Sequence, residues 1–198
     1  MSKLEFAQPI TGNSFAARNG LTAHNRLKQL PMASLRGVVA QVRACSEEGE
    51  LPLFVWTLGL PQVALVQMLD EVELPSESVA QLDSNGFRHL EGLTPRSFHE
   101  IRLMLFQRRT RLVDRFHADL LARAIAGACF GNRSLWQEIG LPDEEALSSF
   151  IQTFFAPLAQ KHKHCRNWKR QLLKDLYGLG GAEFSISDLL LKCVLTHH

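Results

Sequence analysis

The richest stretch of reactive side chains in this 198-residue sequence is "KHKHCRNWKRQLLK", residues 161 to 174. His162, His164 and Cys165 are metal-ligand types, and positions 162 and 165 are three apart, so a helix would bring them to one face. They make only half of a zinc-type site, which takes four donors, and no second cluster elsewhere completes it. A solvated helix start is the competing reading. The stretch also holds six Lys or Arg and no acid. Lys161, Lys163, Arg166, Lys169 and Arg170 therefore form a candidate patch for an oxyanion, a phosphate-rich ligand or an acidic protein partner, weighed against plain solvation.

Other chemistry has less footing. Arg108, Arg109 and Arg111 form a second basic knot. Nucleic-acid binding would need both patches on one face, with a reading helix or stacking aromatics between them. No helix-turn-helix or zinc-finger signature supports that, and nucleic acid is not expected. The chain has no G-x-S-x-G elbow, P-loop, dinucleotide fingerprint or H-E-x-x-H, so it reads as non-catalytic. Cys45, Cys129, Cys165 and Cys193 are scattered without a C-x-x-C pair. Cys129 sits in an apolar helical run and reads as a small hydrophobe. Trp56, Trp136 and Trp168 read as core residues whose indole N–H finds a partner.

The elements that must position these groups are helical. Residues 1–30 carry Pro9, Gly12, Asn13, Gly20 and Asn25 with little periodicity, the pattern of an irregular arm. From 31 to 198 the sequence predicts one all-α domain of about seven helices. Leu35, Val38, Val39 and Val42 recur at helical spacing before Gly49 stops the run. "LPLFVWTL" (51 to 58) is the one plausible strand, and one strand makes no sheet. A helix follows Pro61, and "ELPSESVAQLDSNGFRHLEG" reads as a loop with a short helix. Thr94-Pro95 predicts a hydroxyl-capped helix start. Leu112, Val113, Phe116, Leu120, Leu121, Ala124, Ile125 and Ala128 predict a wide apolar face, with a break near Thr110. Phe150, Ile151, Phe154 and Phe155 give another face, and Trp168, Leu172, Leu173, Leu176 and Tyr177 the next. "GLGGA" (178 to 182) stops that helix, and "SISDLLLKCVL" (185 to 195) offers a last short one.

"WQEIGLP" (136 to 142) is echoed upstream by "LGLP" (58 to 61). In each copy the glycine can take the left-handed conformation that ends a helix, and the following leucine can fold back on the last turn. The proline then fixes the entry to the next helix, whose start is complemented by Asp143, Glu144 and Glu145 in the downstream copy. Reuse within one chain marks structural grammar.

"LWQEIGL", the downstream "FFAPLA" and then "NWKR" resemble the NifQ family, nitrogen-fixation proteins tied to molybdenum supply for the nitrogenase cofactor. That family reads H-L-W-Q-D-L-G-L, then F-P-x-L, then N-x-H-x-M-[KR]-W-K-K. Leu135, Trp136, Gln137, Gly140 and Leu141 match the first element, with Glu138 for aspartate and Ile139 for leucine. Phe155 and Leu158 match the second, and Trp168, Lys169 and Arg170 the third, with His164 on its histidine. "IAGAC" (125 to 129) and "LPLFVWTLGL" extend the similarity to about residues 50 to 176. The resemblance implies molybdenum, as molybdate, for cofactor or cargo, and partners in the nitrogenase cofactor assembly machinery.

The departures are equally specific. The family's C-terminal C-x4-C-x2-C-x5-C pattern, which would ligate an iron–sulfur cluster through soft thiolates, is missing. After Tyr177 only Cys193 remains. Ser134 stands for the histidine before Leu-Trp, His162 for the asparagine of the third element, and Arg166 for its methionine. No iron–sulfur cluster is expected from this chain alone. Two readings follow: a molybdenum-handling protein of nitrogen fixation, or a helical protein–protein interaction module that kept the scaffold and lost its metal.

The bulk numbers agree with either. A hydrophobic fraction of 45%, a charged fraction of 21% and a net charge of +2 describe a globular chain. Charge interrupts the apolar runs, as Arg123 does within "LLARAIAGACF", so no membrane span is expected. Residues 1 to 10 lack a signal-peptide core. A cytoplasmic protein with reduced thiols is the simplest reading.

Overall fold

Leu35, Val38, Val39, Val42 and Cys45 are all buried on the helix over residues 34–47. Their steps of three and four lay one apolar stripe along 3.6-residue turns. This helix, α1, opens the part of the chain that the computed structural model describes, residues 34–163 and 165–177. It is followed by α2 (Gln62–Glu71), α3 (Glu77–Gln81), α4 (Ser84–Gly92), α5 (Arg96–Gln107) and α6 (Arg115–Ala128). Then come α7 (Leu135–Glu138), α8 (Glu144–Phe154), α9 (Ala156–Lys161) and α10 (Trp168–Tyr177). The fold is all-α, with no strand among the described residues. The expected arm over 1–30, the glycine stop at 178–182 and the last helix at 185–195 lie outside them.

There are more helices than the expected seven because α3, α7 and α9 have 5, 4 and 6 residues. Elements that short show no readable period. The strand expected at 51–58 is instead a 3-10 turn, Leu53–Thr57, with Phe54, Val55, Trp56 and Thr57 all buried. Burial on every side leaves no two-faced alternation, and Thr57 Oγ1 donates back to the Phe54 carbonyl at 2.8 Å to close the turn.

α5 packs along α6, α8 against α9, and α10 against α5, while α7 touches both α6 and α8. The face expected on α6 is buried from Leu120 to Ala128, but Leu112 is 97% exposed. The helix begins only after Asp114, whose carboxylate accepts from the Phe116 and His117 backbone N–H groups. Thr94 does not cap α5: its hydroxyl is buried without a partner. Pro95 holds the capping position in an extended conformation and Arg96 starts the helix, which puts Thr94 one residue too far upstream.

The repeated glycine stops behave as expected. Gly140 has φ +73° and Gly59 φ +60°. Leu141 N–H donates to the Trp136 carbonyl at 2.8 Å and Gly140 N–H to that of Gln137 at 3.2 Å, the paired bonds of a Schellman ending. The upstream copy closes a 3-10 turn, and there Leu58 is also left-handed at φ 53°. Arg123 on α6 secures it by donating through Nη1 to the Leu58 and Gly59 carbonyls, both at 3.0 Å.

Candidate functional site

One turn of helix can bury one stripe. On α7 that stripe is Leu135, Glu138 and Ile139, at steps of three and four. Glu138 is thereby carried inward on an otherwise apolar face, and its exposure is 0%. Its Oε1 accepts from the Arg133 backbone N–H at 2.9 Å and its Oε2 from Arg133 Nη2 at 3.2 Å. The carboxylate so closes the turn "GNRS" that joins α6 to α7. Arg133 Nη2 also reaches Glu50 and the Cys45 sulfur, tying the turn to the end of α1.

Lys169 holds the same turn from the other side. From α10 its Nζ donates to the Gly131 carbonyl at 2.7 Å and the Arg133 carbonyl at 2.9 Å. Only 3% of the residue is exposed, and burial lowers its pKa against the opposing pull of Cys129 and Glu138. The Cys129 thiol, fully buried beside this pair, is pushed up to about 12 by desolvation and packs as a neutral hydrophobe. Gly131 has no room for a side chain, since a Cβ there would overlap the Glu138 carboxylate and Leu51.

Outside this buried lock lies a small polar pocket of about 150 Å³. Its walls come from the "NRSL" turn, the start of α8 at Glu144, and the "RNWK" segment entering α10. Arg133, Arg166, Asn132, Asn167 and Ser134 bring cationic and neutral donors to it. Asn167 caps α10, its Oδ1 accepting from Arg170 N–H at 2.9 Å. Glu144 is the acid of the wall. Its Oε1 is buried without a partner. Burial raises its pKa, and the nearby Trp168 backbone N–H opposes that only in part.

The expected basic patch divides. Lys163 and Arg166 are exposed, and neither has an ion-pair partner among the described residues. Lys161 is exposed but donates to Asp175 Oδ1 at 3.0 Å. Arg170 is half-buried, with its Nε unpartnered. Lys169 faces inward, away from the others. Of the candidate metal ligands, His162 places Nε2 2.8 Å from Asp175 Oδ2 and its ring edge-on to Trp168. Cys165 is half-buried, its backbone N–H donates to the His162 carbonyl at 3.0 Å, and burial pushes its thiol up. His164 lies outside the described residues. Among those described, no group of three or more His, Cys, Asp or Glu is disposed to hold a metal ion.

Asp175 is a hub that single-segment reading missed. It joins Lys161, His162 and, from the residue that ends α5, Arg108 at 3.0 Å, so part of the second basic knot meets the first on one carboxylate. Burial raises the Asp175 pKa, but His162 and Lys161 together hold it below the ordinary value. Arg109 instead stacks on Phe106, 4.6 Å from the ring centre.

Two tryptophans sit as expected: Trp56 Nε1 donates to Glu47 at 2.6 Å and Trp168 Nε1 to Ser148 at 3.2 Å. Trp136 does not. It flanks the α7 stripe by one position, is half-buried, and its indole has no hydrogen-bond partner among the described residues. The sequence marks Glu138 only as a motif position and Glu144 only as a helix-start acid, and it does not single out Gly131. The available signal was an acid at the centre of an apolar motif.

The chain matches the model of the protein family described as NifQ over residues 35–186. No curated protein and no solved structure matches it. No helix among the described residues is long and apolar enough to cross a membrane.

Proposed function

The chain belongs to the NifQ family, and from that premise we propose that it handles molybdenum in nitrogen fixation by binding molybdate as an oxyanion. The observation that carries the reading is the polar pocket bounded by Arg133, Arg166, Asn132, Asn167 and Ser134. A tetrahedral dianion needs several convergent N–H and O–H donors and a nearby positive charge. The pocket supplies both, with Lys163 close in sequence to add long-range attraction. The chain's role is to bind and pass on this cargo without catalysis, delivering it to a partner of the nitrogenase cofactor assembly machinery.

The test is calorimetric titration of the full chain with sodium molybdate. Binding should weaken as salt shortens the Debye length from about 10 Å at 0.1 M to about 3 Å at 1 M. Arg166→Gln should lower affinity by roughly tenfold, the loss of one charge-assisted hydrogen bond. Absence of binding at low salt would refute the reading. If His162→Ala with Cys165→Ala abolished binding while salt had little effect, a direct metal site would replace it.

The interaction-module reading has its own support. Val63 is 70% and Leu112 97% exposed, and Ala64, Met68 and Phe116 line a groove between α2 and the start of α6. Retention of an acidic or apolar protein partner by a chain that binds no molybdate would favour it.

A further inference from the structure

We propose that Glu144 makes the pocket proton-linked, so that an oxyanion enters together with one proton held on the Glu144 carboxyl. This rests on the oxyanion reading above and specifies how that site is regulated. Glu144 lines the same pocket as Arg133 and Arg166, and Oε1 is a buried acceptor to which nothing donates. Such an atom costs free energy as an ionised oxygen and less as a hydroxyl.

The surrounding charges point the same way. Arg133 is shared with Glu50 and Glu138, and the Lys169 ammonium is turned onto the Gly131 and Arg133 carbonyls. Arg166, from the segment before α10, is the wall's uncommitted cation, and Cys165 beside it is held neutral by burial. Neither Arg133 nor Lys169 is free to neutralise Glu144. An incoming dianion would therefore meet a like charge whenever Glu144 is ionised. Protonation removes that repulsion. Raised pH would eject the proton and loosen the anion, which gives the pocket a means of release.

The experiment is titration of the full chain with sodium molybdate in buffers of different ionisation enthalpy, at several values between about pH 5.5 and 8. Sodium sulfate, run in parallel, separates uptake by the protein from protonation of molybdate itself. Wild-type protein should take up a proton per bound anion, with affinity falling by up to about tenfold per pH unit once Glu144 ionises. Glu144→Gln keeps the size and shape of the side chain and removes its titration. It should bind molybdate without proton uptake and with affinity nearly independent of pH. Binding by wild type without uptake, or unchanged uptake in Glu144→Gln, overturns the proposal while leaving the oxyanion reading intact. Failure of both proteins to bind at any pH overturns the oxyanion reading, and this one with it.

Discussion

Lys169→Met separates the inward lysine from a surface patch most sharply. The substitution keeps the length and apolar stem of the side chain and removes the ammonium. Two carbonyls, of Gly131 and Arg133, then lose donors now at 2.7 and 2.9 Å. A hydrogen bond from a charged group contributes about 1.5–3 kcal/mol, so the two sum to about 3–6 kcal/mol. Part is returned, because the buried ammonium is itself poorly solvated, as its lowered pKa records. The net loss should be about 2–4 kcal/mol. For a chain of this size each kcal/mol moves Tm by about 2–4 °C, so the midpoint should fall by about 5–15 °C. Lys169→Arg provides the control: an exposed patch tolerates arginine, whereas a slot filled by one ammonium must deform to admit a guanidinium. Thermal and urea unfolding followed by far-ultraviolet circular dichroism measure both. If Lys169→Met melts within about 1 °C of wild type yet loses molybdate binding, the lysine faces the ligand and the lock described here is wrong.

Gly140→Val should cost at least about 1 kcal/mol, because φ is +73° and the new Cβ would lie 2.9 Å from Gln41 Cγ; urea unfolding reads it directly. Trp168→Ala should cost about 3–5 kcal/mol and Trp136→Ala clearly less, since only the former is fully buried with its N–H bonded. Equal losses would place Trp136 in the core after all. Asp175→Asn should destabilise by about 1–2 kcal/mol near neutral pH, less than for a fully buried ion pair, because Lys161 and Arg108 can still reach water. The Asp175 pKa is depressed in the fold, so its contribution is present above the ordinary value of 3.8 and is lost as pH falls through the lower, folded value. The gap between wild type and Asp175→Asn should therefore close on acidification, as a pH series of melts would show.

What the sequence made legible depended on the range of the interaction. The stripe on α1, the stripe on α8 and the glycine endings are set by neighbours within one or two turns, and all three were readable. Gly140 shows this best: a left-handed stop followed by Leu-Pro needs only local backbone geometry. Thr94 shows the limit, since a shift of one residue in the helix start leaves its hydroxyl with no N–H to accept. Leu112 is similar, because the Asp114 cap outweighs an apolar period that runs through it. The inward turn of Lys169 was not readable at all. Nothing near it in sequence says that two carbonyls some 36 to 38 residues upstream await a donor.

That long-range bond also explains why two matching segments so far apart behave as one device. Glu138 comes from the "LWQE" element and Lys169 from the "NWK" element, yet both grip the turn from Gly131 to Arg133. One supplies acceptors to its N–H side and the other supplies donors to its carbonyl side. Between them they fix the backbone of one lining segment of the pocket, to which Asn167 and Glu144 also contribute. Arg166 and Glu144 line the same pocket but take no part in the lock, which leaves them to respond to a ligand. On this arrangement substitutions in the lock should act through stability. Substitutions at Arg166 and Glu144 should act through affinity and its pH dependence, and the two effects can be measured independently on the same protein.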